Sequence, residues 1–127
     1  MSTITTIRTP KAPAAFGPFV QAVKTDTLVF STGQLPLDPS TGELVSNDVQ
    51  AQTRQVLINL KAILEAAGCS LDRVLKATVF ITNMDDFDKV NEVYAGFFSD
   101  TPPARSCIEV SGLAKGAKVE IEAIALL

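Results

Sequence analysis

The chain has 127 residues, 46% of them apolar and 20% charged, a length and balance that suit one compact domain (residues 1–127) and leave no room for a second core. Its net charge of −3 and pI near 4.8 leave no general phosphate-neutralising surface, so nucleic-acid binding is not expected. It contains no histidine, which removes Ser-His-Asp and Cys-His catalysis, H-E-x-x-H zinc chemistry and imidazole general bases together; acid/base work must fall to a carboxylate, a lysine, Tyr94, a thiol or held water.

Taken in chain order, Phe19 to Val23 and Thr27 to Thr32 read as short strands, followed by a loop through Pro36, Asp38, Pro39, Ser40 and Gly42. From Asn47 onward the apolar positions Val49, Val56, Leu57, Leu60, Ile63, Leu64 and Ala67 recur at helical spacing. Asn47 and Gln50 are placed as a capping box, and Gly68 as the stop. Val74 to Ile81 is rich in β-branched and aromatic residues and predicts a strand. A second helical pattern runs through Phe87, Val90, Val93, Tyr94, Phe97 and Phe98. Asp85, Asp86 and Asp88 stand near its start, where the helix dipole favours negative charge, and Pro102 and Pro103 end the region. Two more strands, Ala104 to Val110 and Val119 to Leu126, complete an α+β order of β-β-α-β-α-β-β.

Alternation along the last two strands puts Arg105, Cys107 and Glu109 on one face and Ile108 and Val110 on the other. In the final strand Val119, Ile121, Ala123 and Ala125 are expected under the helices, with Glu120 and Glu122 turned away. A mixed face of Arg, Cys, Glu and aliphatics suits an interface or a ligand site better than a dry core. Cys69 and Cys107 lie outside any C-x-x-C spacing and indicate neither a disulfide framework nor a zinc site. No stretch approaches the roughly 18 apolar residues of a membrane span, and the opening residues lack a secretory apolar run, so a cytoplasmic address is expected. A mitochondrial presequence is the lesser alternative, since Pro10 and Pro13 obstruct the amphipathic helix that Arg8 and Lys11 would need.

Four blocks carry a resemblance over nearly the whole chain. They run from Ala12-Pro13-Ala14-Ala15-Phe16-Gly17-Pro18-Phe19-Val20-Gln21-Ala22, through Ser31-Thr32-Gly33-Gln34-Leu35-Pro36 and Pro103-Ala104-Arg105-Ser106-Cys107-Ile108-Glu109-Val110, to Val119-Glu120-Ile121-Glu122-Ala123-Ile124-Ala125. In that order they resemble the reactive-intermediate deaminases (RidA/YjgF type). The resemblance implies a chorismate-mutase-like domain with two helices on one face of a mixed sheet, assembled as a homotrimer with clefts between subunits. It implies hydrolysis of 2-imino and enamine acids (2-aminoacrylate and 2-aminocrotonate type) to 2-oxo acids and ammonia, a 2-iminobutanoate/2-iminopropanoate deaminase needing no metal or cofactor. By the same resemblance Arg105 binds the substrate carboxylate and Glu120 handles the attacking water. Cys107 and Gly33 contribute mainly backbone groups, and Asn91, Thr32 and Phe19 line the cleft. The partners implied are imine or 2-oxo acid carboxylates, with no nucleic acid and no membrane. The family usually has tyrosine where this chain has Phe19 and often serine where it has Thr32.

The residues also admit blander readings. Arg105 could form a structural ion pair with Glu120 or Glu122 on a neighbouring strand. Cys107 lacks the basic activator a nucleophilic thiol needs. Gly33 suits a turn, Asn91 a solvated helix face, and Tyr94, Phe97 and Phe98 a core stripe. A non-catalytic trimer sensing a small carboxylate, and a translation inhibitor or holdase chaperone, stand as rival functions; the acidic pI counts against the RNA-directed one.

Overall fold

The computed structural model of the chain describes residues 3–98 and 100–127. Its elements are β1 (Thr5–Ile7), β2 (Ala22–Lys24), β3 (Leu28–Ser31), α1 (Val49–Ala66), β4 (Val74–Ile81), α2 (Phe87–Phe97), β5 (Ala104–Glu109) and β6 (Val119–Leu126). β4 and β6 form where β-branched and apolar residues alternate, and that alternation buries Ala77, Val79, Ile81, Val119, Ile121 and Ala125 on one face. β1 has no counterpart in the sequence reading, because three residues with only Ile7 buried are too short to display a period. The strand expected from Phe19 begins at Ala22, which leaves Phe19 in the preceding loop.

The six strands lie in the order β1-β2-β3-β6-β4-β5, antiparallel except for β4 and β5. A parallel pair needs a long crossover, and α2 supplies it. β5 and β6 are therefore not neighbours. β4 lies between them, and β5 is left as a free edge.

α1 and α2 cover one face of this sheet. The α1 stripe of Val56, Leu57, Leu60, Ile63 and Leu64 is wholly buried, and a Leu→Ala change at such a position costs about 2–5 kcal/mol. Its N-cap is Asp48, whose carboxylate accepts from the Ala51 amide at 2.8 Å, and not Asn47. Gln50 instead donates across to the Lys89 carbonyl of α2. At the other end Gly68 takes φ +82°; the Cys69 amide reaches the Leu64 carbonyl and the Gly68 amide the Glu65 carbonyl, a Schellman ending. Within α1 the buried Asn59 side chain donates to the Leu35 and Leu37 carbonyls and pins the long loop after β3.

Among the described residues no helix covers the other sheet face. Leu28, Phe30, Phe80, Ile108, Ile124 and Leu126 share it, with Phe30 39% and Ile108 45% exposed. Among the described residues no helix is long and apolar enough to cross a membrane.

Candidate active site

Glu120 sits between the buried Val119 and Ile121 and so projects from the uncovered face, in register with Phe80 of β4. Gly33, just beyond β3, makes room for it: a Cβ there would lie 2.7 Å from the Glu120 Cδ and closer still to its Oε2. Paired backbone bonds between Gln34 and Ile121, 2.8 and 3.2 Å, hold this glycine segment against β6. Gly33 was expected to let backbone approach a ligand; its visible duty is to let the carboxylate lie against the chain.

The carboxylate closes one side of a cavity of about 270 Å³ walled by Phe16, Phe19, Thr32, Leu35 and Ala114. Phe16 and Phe19 meet edge to face, 5.5 Å between centroids at 87°. Burial in these apolar walls, and secondarily the charge of Glu122, pushes the Glu120 pKa above its ordinary 4.5. The loop carrying both rings is fastened by Gln21, which is buried. Its Nε2 donates to the carbonyls of Thr9, Ala12 and Pro13, and its Oε1 accepts from the Thr9 amide. Sequence reasoning assigned no role to Gln21 or Phe16. The only available signal was a glutamine within an otherwise apolar strand start, which needs partners if buried.

Arg105 and Cys107 belong to a second cluster. β5 pairs Arg105 with Ala77 and Cys107 with Val79, both fully buried under the helices, so these side chains lie on the helix-covered face. The Arg105 Cζ stands 4.8 Å from the Tyr94 ring centroid and 5.5 Å from that of Phe87, both on α2. Asn91, half-buried, lies between them on the same helical stripe. Burial raises the Cys107 thiol pKa and the neighbouring Arg105 charge only partly offsets this, so the thiol stays protonated near neutrality and is a poor nucleophile. Glu109 turns out of the cluster and accepts from the Met84 amide at 2.7 Å.

Two expectations are thereby corrected. Arg105, Cys107 and Glu109 do not share a face with Glu120 and Glu122; within one chain they occupy opposite faces of the sheet. The reading of an ion pair between Arg105 and either glutamate also fails, because β4 separates their strands. Thr32, Gly33, Phe19 and Glu120 come together on one side, and Arg105, Cys107 and Asn91 on the other.

Residues 9–127 match the model of the endoribonuclease L-PSP family, nearly the whole chain. The chain is a member of this family, the RidA/YjgF group. Among Rid-family relatives, a RutC family protein of Pyrococcus horikoshii is 55% identical over 94% of each chain. The 2-iminobutanoate/2-iminopropanoate deaminase of Salmonella typhimurium is 52% identical over 95% of this chain and 96% of its own. The crystal structure of Escherichia coli TdcF with bound serine superposes with a TM-score of 0.93 at 49% identity, covering 97% of both chains. The two-helix, mixed-sheet architecture is thus that of the Rid family, and deaminases stand beside differently named proteins within it.

Proposed function

We propose that this chain hydrolyses 2-imino and enamine acids to 2-oxo acids and ammonia, at sites shared between neighbouring subunits of a homotrimer. The observation that carries the reading is the pair of incomplete half-sites. Arg105 offers a cationic fork with no ion-pair partner among the described residues, and Glu120 is a proton-hungry carboxylate in an apolar cavity on the opposite face. An uncovered apolar sheet face and a free β5 edge supply the contact surface that would bring one chain's Arg105 to another's Glu120. The serine held by the TdcF relative, an amino acid with an α-carboxylate, and the activity named for the Salmonella relative both favour a carboxylate-bearing substrate.

In this scheme the planar guanidinium of Arg105 holds the substrate carboxylate by two parallel hydrogen bonds. An enamine first takes a proton at carbon to become the imine. Glu120 then accepts a proton from water as the oxygen adds to the C=N carbon, and a proton passes to nitrogen. Collapse of the carbinolamine breaks the C–N bond, releasing ammonia and leaving the 2-oxo acid. The imine carbon is already electrophilic, so positioning plus one carboxylate suffices, and the absence of histidine is no obstacle. Ammonia and 2-oxobutanoate release from freshly generated imine is the direct test. Acceleration over the uncatalysed rate is expected; tight 2-oxobutanoate binding without acceleration would instead mark a carboxylate-sensing trimer.

A further inference from the structure

Arg105 lies over two aromatic rings of α2, and those rings are themselves held. Tyr94 is 6% exposed and packs on the buried Phe98 with centroids 4.6 Å apart, while Phe87 is half-buried against the core. The Tyr94 hydroxyl is buried and has no hydrogen-bond partner among the described residues. A buried hydroxyl without a partner contributes nothing that retains it, so the attachment of Tyr94 to its surroundings runs through its ring. We infer that Tyr94, seconded by Phe87, is a positioning residue for Arg105: its ring face fixes the guanidinium fork in the orientation that receives a carboxylate.

The inference rests on the carboxylate-binding role given to Arg105 above and adds the group that orients it. A long, flexible side chain at a free sheet edge otherwise samples many rotamers, and ordering it at each binding event weakens binding. A guanidinium stacked on aromatic faces is ordered beforehand, held by the attraction of cation to ring quadrupole, and keeps its donor edge free. The nearby Arg105 charge lowers the phenol pKa only against the larger effect of burial, so Tyr94 stays neutral and presents an uncharged face. The shelf also explains why a core-type aromatic stripe continues to the edge of α2 facing β5.

Two substitutions separate ring from hydroxyl. Tyr94→Phe keeps the ring and removes an unpaired buried hydroxyl, so it should leave KM within about twofold and raise Tm slightly. Tyr94→Leu removes the shelf and should raise both the KM for the imine and the Kd for 2-oxobutanoate, measured by calorimetry, by about 3- to 30-fold with kcat nearly unchanged. In an Arg105→Ala background the Tyr94→Leu change should add less than about twofold, since no guanidinium remains to orient. The Arg105 side-chain proton resonances should be shifted upfield by ring current in the wild type and in Tyr94→Phe, and distinctly less in Tyr94→Leu, where only the Phe87 ring remains. Should Tyr94→Leu not fold, Phe87→Leu carries the same measurements with a smaller shift in the same direction. Unchanged Kd and KM in Tyr94→Leu, an equal loss in the Arg105→Ala background, or a Tyr94→Phe as impaired as Tyr94→Leu would each overturn the shelf. Carboxylate binding is read separately from turnover. Absence of turnover alone therefore counts against the deaminase reading, and absence of Tyr94–Arg105 coupling in binding counts against the shelf.

Discussion

At Glu120 a carboxylate is held in apolar walls beside a like charge, and its behaviour with pH follows from that setting. As the base of the proposed reaction it must be unprotonated, so kcat/KM should fall as pH drops through its raised pKa, giving an acid limb above the ordinary 4.5 of a glutamate. Folding has the opposite sign. Glu120 binds its proton more tightly in the folded protein than in the unfolded chain, so its contribution favours the fold at low pH and is lost as pH rises through the raised value. Glu120→Gln should lower kcat/KM by about 10²–10⁴-fold and abolish the acid limb, while chemical denaturation at pH 7 shows no loss of stability. In the proposed complex Arg105→Ala would remove one side of a desolvated charge pair, a loss of about 2–5 kcal/mol or roughly 30- to several-thousand-fold in kcat/KM; Arg105→Lys should recover only part, lacking the fork. Phe19 walls the Glu120 cavity but offers no hydrogen bond, where the family resemblance led us to expect a phenol. Phe19→Tyr should therefore raise kcat/KM by about 3- to 10-fold, the worth of one net hydrogen bond, whereas a fall would indicate a cavity shaped for a more apolar substrate.

Elements place these residues, and their ends are specified by single positions. α1 closes on Gly68 at φ +82°, with open space where a Cβ would go, so the strain of a side chain there is conformational and not steric. Gly68→Ala should cost about 1 kcal/mol and lower Tm by roughly 3–6 °C, with kcat/KM unchanged because α1 carries no site group. β5 is more consequential for function. Its register against β4 turns Arg105 and Cys107 inward and Ser106 and Ile108 outward, so a one-residue slip would exchange the guanidinium for apolar and hydroxyl groups. Its place at the sheet edge leaves its outer backbone groups free to meet another chain.

On the scale of the whole molecule, one chain presents Arg105 and Glu120 on opposite faces of a single sheet. The proposed sharing of the site between subunits makes a specific prediction. Arg105→Ala and Glu120→Gln, each nearly inactive alone, should regain activity when unfolded and refolded together. In randomly mixed trimers about a quarter of the sites would combine an intact Arg105 with an intact neighbouring Glu120. Light scattering should give close to three times 13.5 kDa for every variant. No recovery from mixed trimers would mean that the two residues do not act at a shared site.

Much of this was legible in the sequence because it depends on local periodicity and on residue types. The buried stripe of α1, the alternation in β4 and β6 and the Gly68 stop are written in spacings of two to four residues, and the absence of histidine alone narrowed the chemistry to carboxylates, lysine, tyrosine and thiols. Arg105, Glu120, Gly33 and Phe19 were singled out by their blocks. Period-two alternation says which residues of a strand share a face, but not which face of the sheet that is, nor which strand lies beside it. Only the tertiary structure decided that β4 lies between β5 and β6, and therefore that Arg105 faces the helices while Glu120 faces away. For the same reason the space that Gly33 leaves for Glu120, the anchoring of the Phe16–Phe19 loop by Gln21 and the rings of Tyr94 and Phe87 beneath Arg105 could not be read from the chain. Each joins residues more than ten positions apart, or eight to twelve in the loop's case, through contacts that exist only once the chain has folded.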